Sequence, residues 1–171
     1  MRIVKAGIVA GLCAAAAFAA GPIPLRDVDG VSHGTLEDGT RKATVLFFVL
    51  TDCPISNVFA PEIDRICTEY GDKGVECFLV YVDPEKSDAE IRAHAAEFGH
   101  GGRPAIHDID RTLTEKVGAK ITPEAAVFSP SGEMLYRGRI NNLYASLGKA
   151  RRRATEHDLR KALDEILAGG E

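Results

Sequence analysis

The residues Val45-Leu46-Phe47-Phe48-Val49-Leu50 form an unbroken apolar run that stops at Thr51-Asp52-Cys53-Pro54. The run is far too short to span a membrane, and its continuity predicts a strand covered on both faces. Proline is tolerated in the first turn of a helix, where its missing N–H has no helical partner to lose. Beyond Pro54, Val58-Phe59-Ala60, Ile63, Ile66 and Tyr70 recur at helical spacing. A thiol, Cys53, is thus predicted where a buried strand hands over to a helix N-terminus. The unpaired N–H groups there favour a thiolate, so the sulfur is expected to be reactive.

The remaining pattern alternates strand and helix. Asp29-Gly30 marks a turn between short apolar segments, predicting a hairpin over Leu25 to Leu36. Tyr70-Gly71-Asp72-Lys73-Gly74 stops the first helix, and Val75 to Val82 reads as a second buried strand. Ser87-Asp88-Ala89-Glu90 has the capping-box pattern ahead of Ile91, Ala95 and Phe98. A third strand is expected at Ala105-Ile106-His107, a short helix from Thr112 to Val117, and a fourth strand at Ala125-Ala126-Val127-Phe128. Ser129-Pro130-Ser131-Gly132 turns into a strand from Met134 to Ile140, followed by a polar loop. Thr155-Glu156-His157-Asp158 opens a last helix with Leu159, Leu163, Ile166 and Leu167 on its apolar face, ended by Gly169-Gly170. This order predicts an α/β sandwich: one mixed sheet with helices on both faces.

Arg2 and Lys5 precede an Ala/Val/Gly/Leu-rich stretch, and Ala17-Phe18-Ala19 offers a small-x-small cleavage pattern. Residues 1–19 therefore read as a secretory signal peptide, leaving one domain over residues 20–171 in a periplasmic or secreted setting. An uncleaved membrane anchor is disfavoured by the short apolar stretch, and a lipid-attached Cys13 by Leu12 before it. No stable membrane insertion is expected after cleavage. The formal net charge is −4, which gives no electrostatic case for nucleic-acid binding. The processed chain keeps Cys53, Cys67 and Cys77; an odd count in an oxidising compartment leaves at least one thiol free or paired with another molecule. Cys67 and Cys77 either bridge or stand as two separate buried thiols.

In this order and spacing the sequence resembles the thioredoxin fold, a three-layer sandwich. More narrowly it resembles the redoxin branch, the alkyl hydroperoxide reductase/thiol-specific antioxidant family. Three stretches carry the resemblance: Phe48 to Ser56, the segment Gly118-Ala119-Lys120-Ile121-Thr122-Pro123 before a buried strand, and Leu25-Arg26-Asp27-Val28-Asp29-Gly30. It implies a cis-proline at Pro123 lying against Cys53, with the Thr122 backbone free to pair with an extended substrate. Without the resemblance, Pro123 would simply open an edge strand. The departures are specific. Dithiol members carry Cys-x-x-Cys, where this chain has Ser56, and peroxidase members place a threonine where this chain has Leu50. Thr51 is one residue nearer Cys53, on the other face of a strand. Asp52 would oppose ionisation of Cys53 if it were desolvated.

The candidate site is accordingly Cys53 as redox nucleophile, Ser56 as hydrogen-bond donor to its sulfur, and Thr122 and Pro123 facing it. The expected activity is thiol-dependent oxidoreductase or antioxidant chemistry. Its substrate would be a disulfide or peroxide, resolved by an external reducing thiol or protein, with no cofactor. The alternative is a binding or scaffold module that keeps the fold without the dithiol. One soft ligand with scattered His33, His94, His100, His107 and His157 makes a poor metal site, and His100 reads as a solvated helix end. Lys149-Ala150-Arg151-Arg152-Arg153 reads as a solvated basic loop. Arg137 and Arg139 alternate along the last strand and are expected on one face.

Overall fold

The computed structural model describes residues 21–146 and 148–169. The expected signal segment, Cys13 and Gly170 lie outside those residues. The apolar run forms β3 (Ala43–Val49), and every residue of it is buried. Parallel to β3 lies β4 (Val75–Tyr81), and beyond that β5 (Ala105–His107). On the other side β6 (Glu124–Phe128) pairs antiparallel with β3, and β7 (Met134–Gly138) pairs antiparallel with β6. The sheet order is β5-β4-β3-β6-β7, so β3 is the middle strand and Cys53 follows its end.

Alternation along β3 splits the core in two. Val45, Phe47 and Val49 pack with α1 (Pro54–Gly71), α2 (Asp88–Glu97) and α4 (Asp158–Leu167). Leu46 and Phe48 face the opposite layer, built from α3 (Thr112–Val117) and the hairpin of β1 (Pro24–Arg26) and β2 (Ser32–Thr35). This is the mixed α/β sandwich, with one face covered by three helices and the other by a short helix and a hairpin.

Cys53 is the N-cap of α1 and Pro54 fills its first position, where no helical hydrogen bond is lost. Phe59, Ile63, Ile66 and Tyr70 form the buried stripe of α1, while Val58 faces outward. Pro61 removes one bond, to the Asn57 carbonyl, but the helix runs on. Tyr70 donates from its hydroxyl to Asp164 at 2.8 Å, and Arg160 pairs with Glu62 at 3.0 Å, so α4 is pinned along α1. Asp164 and burial together raise the Tyr70 phenol well above its ordinary pKa.

Three expectations need correction. The polar loop after Ile140 contains a two-stranded ribbon, β8 (Tyr144–Ser146) with β9 (Lys149–Ala150), and Leu143 and Tyr144 pack against the core. Helix α4 starts at Asp158, not Thr155, because the Thr155 and Glu156 N–H groups donate to the Asn142 side chain instead. Arg137 and Arg139 do not share a face. Strand β7 ends at Gly138, so Arg137 donates to the Val117 and Gly118 carbonyls beside α3, while Arg139 reaches Asp158 at the start of α4.

Candidate functional site

Cys53 is partly exposed, and its sulfur receives the Ser56 backbone N–H at 3.5 Å. On the other side the thiol donates to the Thr122 carbonyl at 3.6 Å. Thr122 belongs to the segment entering β6, and the Thr122–Pro123 peptide bond is cis. The four residues singled out from the sequence, Cys53, Ser56, Thr122 and Pro123, thus meet at the end of β3, although Thr122 is 69 positions from Cys53.

Burial works against ionisation of Cys53. Hydrogen bonding from Ser56, the Thr122 side chain and the Ile55 backbone outweighs it, and the thiol is held below its ordinary pKa. The Ser56 hydroxyl is itself buried with no well-formed hydrogen bond. A thiolate at Cys53 is the acceptor that would satisfy it, which is a physical reason for the shift. Asp52 does not interfere: its side chain is exposed and pairs with Lys86 at 3.3 Å.

The turn carrying Cys53 is held from behind. Asp83, at the end of β4, accepts the Thr51 N–H at 3.1 Å and its hydroxyl at 3.0 Å. Asn57 donates to the Thr51 carbonyl at 3.2 Å, leaving its Oδ1 to accept from His94 Nε2 at 3.0 Å. His94 Nδ1 is then the acceptor for the Tyr81 hydroxyl, also at 3.0 Å. This chain of donors is complete with His94 neutral and its proton on Nε2. Burial likewise holds the imidazole below its ordinary pKa, despite Asp83 and Glu97 nearby.

Sequence reasoning did not assign roles to Asn57, Asp83 and His94. A signal for Asp83 existed: Val49 pairs with Tyr81 in parallel register, so Thr51 and Asp83 fall opposite one another two residues on. His94 lies at helical spacing between Ile91 and Phe98, on whose ring it stacks with centroids 4.5 Å apart.

His100 is not a solvated helix end. It is 3% exposed, and its Nδ1 has no hydrogen-bond partner. Gly99 adopts φ 78°, a left-handed turn open to glycine, and the His100 N–H returns to the Ala95 carbonyl at 2.8 Å, folding the ring inward. Burial pushes its pKa down to about 4. Cys67 and Cys77 are both buried free thiols. Contact with Cys67, reinforced by burial, raises the Cys77 pKa. Among the described residues, no three His, Cys, Asp or Glu side chains converge as metal ligands, and no helix is long and apolar enough to cross a membrane.

A central strand ending in a half-buried cysteine at a helix start, faced by a cis-proline segment, defines a thioredoxin-fold redoxin. The chain belongs to the AhpC/TSA family, which matches residues 18–137. Among solved structures it is similar to an uncharacterized conserved protein from Geobacillus kaustophilus, at 27% identity, TM-score 0.74, and 88% and 80% coverage of the two chains. A hypothetical protein from Sinorhizobium meliloti 1021 gives 20% identity, TM-score 0.74, and coverages of 88% and 83%. A secreted Mycobacterium tuberculosis disulfide oxidoreductase homologous to E. coli DsbE gives 13% identity, TM-score 0.58, and coverages of 86% and 96%; that likeness is of fold. No curated protein matches the chain.

Proposed function

We propose that the protein is an exported thiol–disulfide oxidoreductase working through one nucleophile, Cys53. The observation that carries this reading is the sulfur's setting: partly exposed, lowered in pKa, and flanked by Ser56 and the Thr122 carbonyl. The Cys53 thiolate attacks one sulfur of a substrate disulfide. The old S–S bond breaks, one half leaves as a thiolate with the electron pair, and the other half stays joined to Cys53. Ser56 has no sulfur with which to resolve this adduct, so an external thiolate attacks it. Exchange with that thiol frees the bound half and, with a second equivalent, regenerates the Cys53 thiolate, the external thiol leaving as its own disulfide.

Disulfide chemistry fits better than peroxide chemistry. Leu50 offers no hydroxyl, and the Thr51 hydroxyl is committed to Asp83. Pro123 shapes the wall facing the sulfur, and the Thr122 backbone is placed to align an extended substrate. Residues 1–19 act as the export signal and 20–171 as the working domain, in the periplasm or outside the cell.

The test compares wild type with Cys53→Ala on a disulfide substrate in the presence of an external thiol, with intact mass measured after substrate is added alone. Wild type should turn over and carry one substrate half as an adduct, and the variant should do neither. Equal turnover by both proteins sinks the reading. N-terminal sequencing of the fractionated protein should find the processed start after Ala19.

A further inference from the structure

The Thr122 segment divides two cavities of opposite character. On one side is a groove of about 370 Å³ lined by Ile55, Phe59, Pro123, Ile140 and Tyr144. Its cation, Arg139, is already tied to Asp158 and Glu156. On the other side is a pocket of about 170 Å³ with apolar walls from Phe48, Leu50 and Val82, edged by Arg111 and Lys120. Neighbouring cations have partners: Arg137 lies near Glu124, and Lys86 pairs with Asp52. Among the described residues, Arg111 and Lys120 form no ion pair or side-chain hydrogen bond.

Of the nearby carboxylates, Asp108 and Glu124 are committed elsewhere, while Asp110 and Glu115 are exposed and outside the pocket's lining. Asp108 accepts the Leu113 and Thr114 N–H groups and the Thr114 hydroxyl, and Glu124 accepts the Lys120 backbone N–H at 2.9 Å. The pocket is joined to Cys53 through two of its walls. The Leu50 carbonyl accepts the Cys53 N–H, and Thr122 carries the carbonyl that touches the sulfur.

Resting on the thiol-exchange reading above, we infer that this pocket binds the carboxylate arm of a low-molecular-weight thiol that resolves Cys53. Two exposed cations without an ion-pair partner, set beside apolar walls, select a negative group through an attraction that salt screens. The volume is below that of sites enclosing a whole drug-sized ligand, about 300–1,000 Å³. It suits one short arm of a small thiol whose sulfur remains at Cys53. With the arm held, the thiolate attacks Cys53 Sγ of the mixed disulfide. The existing S–S bond breaks, the bound half leaves with the electron pair, and a second equivalent of the thiol frees the Cys53 thiolate.

The test loads Cys53 with a pyridinethiol group from dipyridyl disulfide and follows release of that group. Mercaptopropionate is compared with neutral mercaptoethanol, each rate being divided by the same thiol's rate with free dipyridyl disulfide. The normalised preference for the carboxylate thiol should be on the order of tenfold at low salt and fall as salt rises. It should collapse towards unity in Arg111→Gln/Lys120→Gln. Arg111→Gly with Lys120→Gln is the second version, since glycine suits the φ of 56° at position 111. Arg152→Gln, in the exposed basic run, should keep the preference. Equal normalised rates in wild type, or a preference that survives in both double variants, overturns the inference and leaves the oxidoreductase reading standing. Failure of Cys53 to accept the pyridinethiol group overturns both.

Discussion

His94 Nε2 and Asn57 Oδ1 are 3.0 Å apart, and this one hydrogen bond ties α2 to the turn that carries Cys53. Asn57 passes the constraint to the Thr51 carbonyl, two residues before the sulfur. Replacing His94 by Phe keeps the stack on Phe98 but deprives both Asn57 and the Tyr81 hydroxyl of their partner. Stability should fall by about 1–3 kcal/mol, measured by urea unfolding. Cys53 alkylation at neutral pH should slow severalfold in the folded protein. An unchanged alkylation rate would show that the turn holds without α2.

Asp83 grips the same turn from β4 with both carboxylate oxygens. Asp83→Ala strands the buried Thr51 N–H and hydroxyl, at a cost of roughly 2–3 kcal/mol, since hydrogen bonds to a charged group are among the stronger ones. Thermal unfolding should show a loss well beyond that of Asp52→Ala, whose ion pair is exposed.

Replacing Ser56 by Ala keeps the backbone N–H on the Cys53 sulfur, so the variant isolates the buried hydroxyl, whose acceptor is the Cys53 thiolate. Ser56→Ala should raise the midpoint of the alkylation–pH curve of Cys53 and slow reaction at neutral pH by about three- to tenfold. Cys67 and Cys77, both buried, should stay nearly unreactive until the protein is unfolded. Rapid native-state labelling of either one would contradict the packing of α1 on β4.

Ser56→Cys supplies the missing second thiol one helical turn beyond Cys53, where the residue 56 N–H already lies 3.5 Å from the sulfur. The variant should form an internal disulfide and release a substrate adduct without added thiol. Non-reducing peptide mass spectrometry checks the bond, and single-turnover release checks the resolution. An adduct as persistent as that of wild type would show that position 56 cannot reach the mixed disulfide.

His100 makes stability depend on pH. The unfolded imidazole titrates near 6.5, and the folded one near about 4 because burial disfavours its charge. Between those values the unfolded chain takes up a proton that the folded chain refuses. Stability is therefore held above about pH 6.5 and lost as pH falls, levelling below about pH 4, with a span on the order of 3 kcal/mol. Urea unfolding at neutral and mildly acidic pH should show a smaller drop in His100→Gln than in wild type. Equal drops would place the dependence on other groups.

Local signals were enough for the elements. The run from Val45 announced β3, Pro54 announced the helix start, and Ser87 with Glu90 formed the capping box that opens α2. These features depend on neighbours a few residues apart, so the chain itself displays them. The ribbon at Tyr144 and Lys149 escaped because such short segments carry too little periodicity to separate from a loop.

The sequence by itself determined an α/β sandwich and a cysteine at the junction of its central strand with a helix, because burial pattern and proline chemistry are local. Only the tertiary structure decided what surrounds that sulfur. Thr122 reaches it across 69 positions, Asp83 and His94 brace its turn from β4 and α2, and His100 turns inward on Gly99. Hydrogen bonds and desolvation depend on which groups the folded chain brings within a few ångströms. A linear pattern records no such distances.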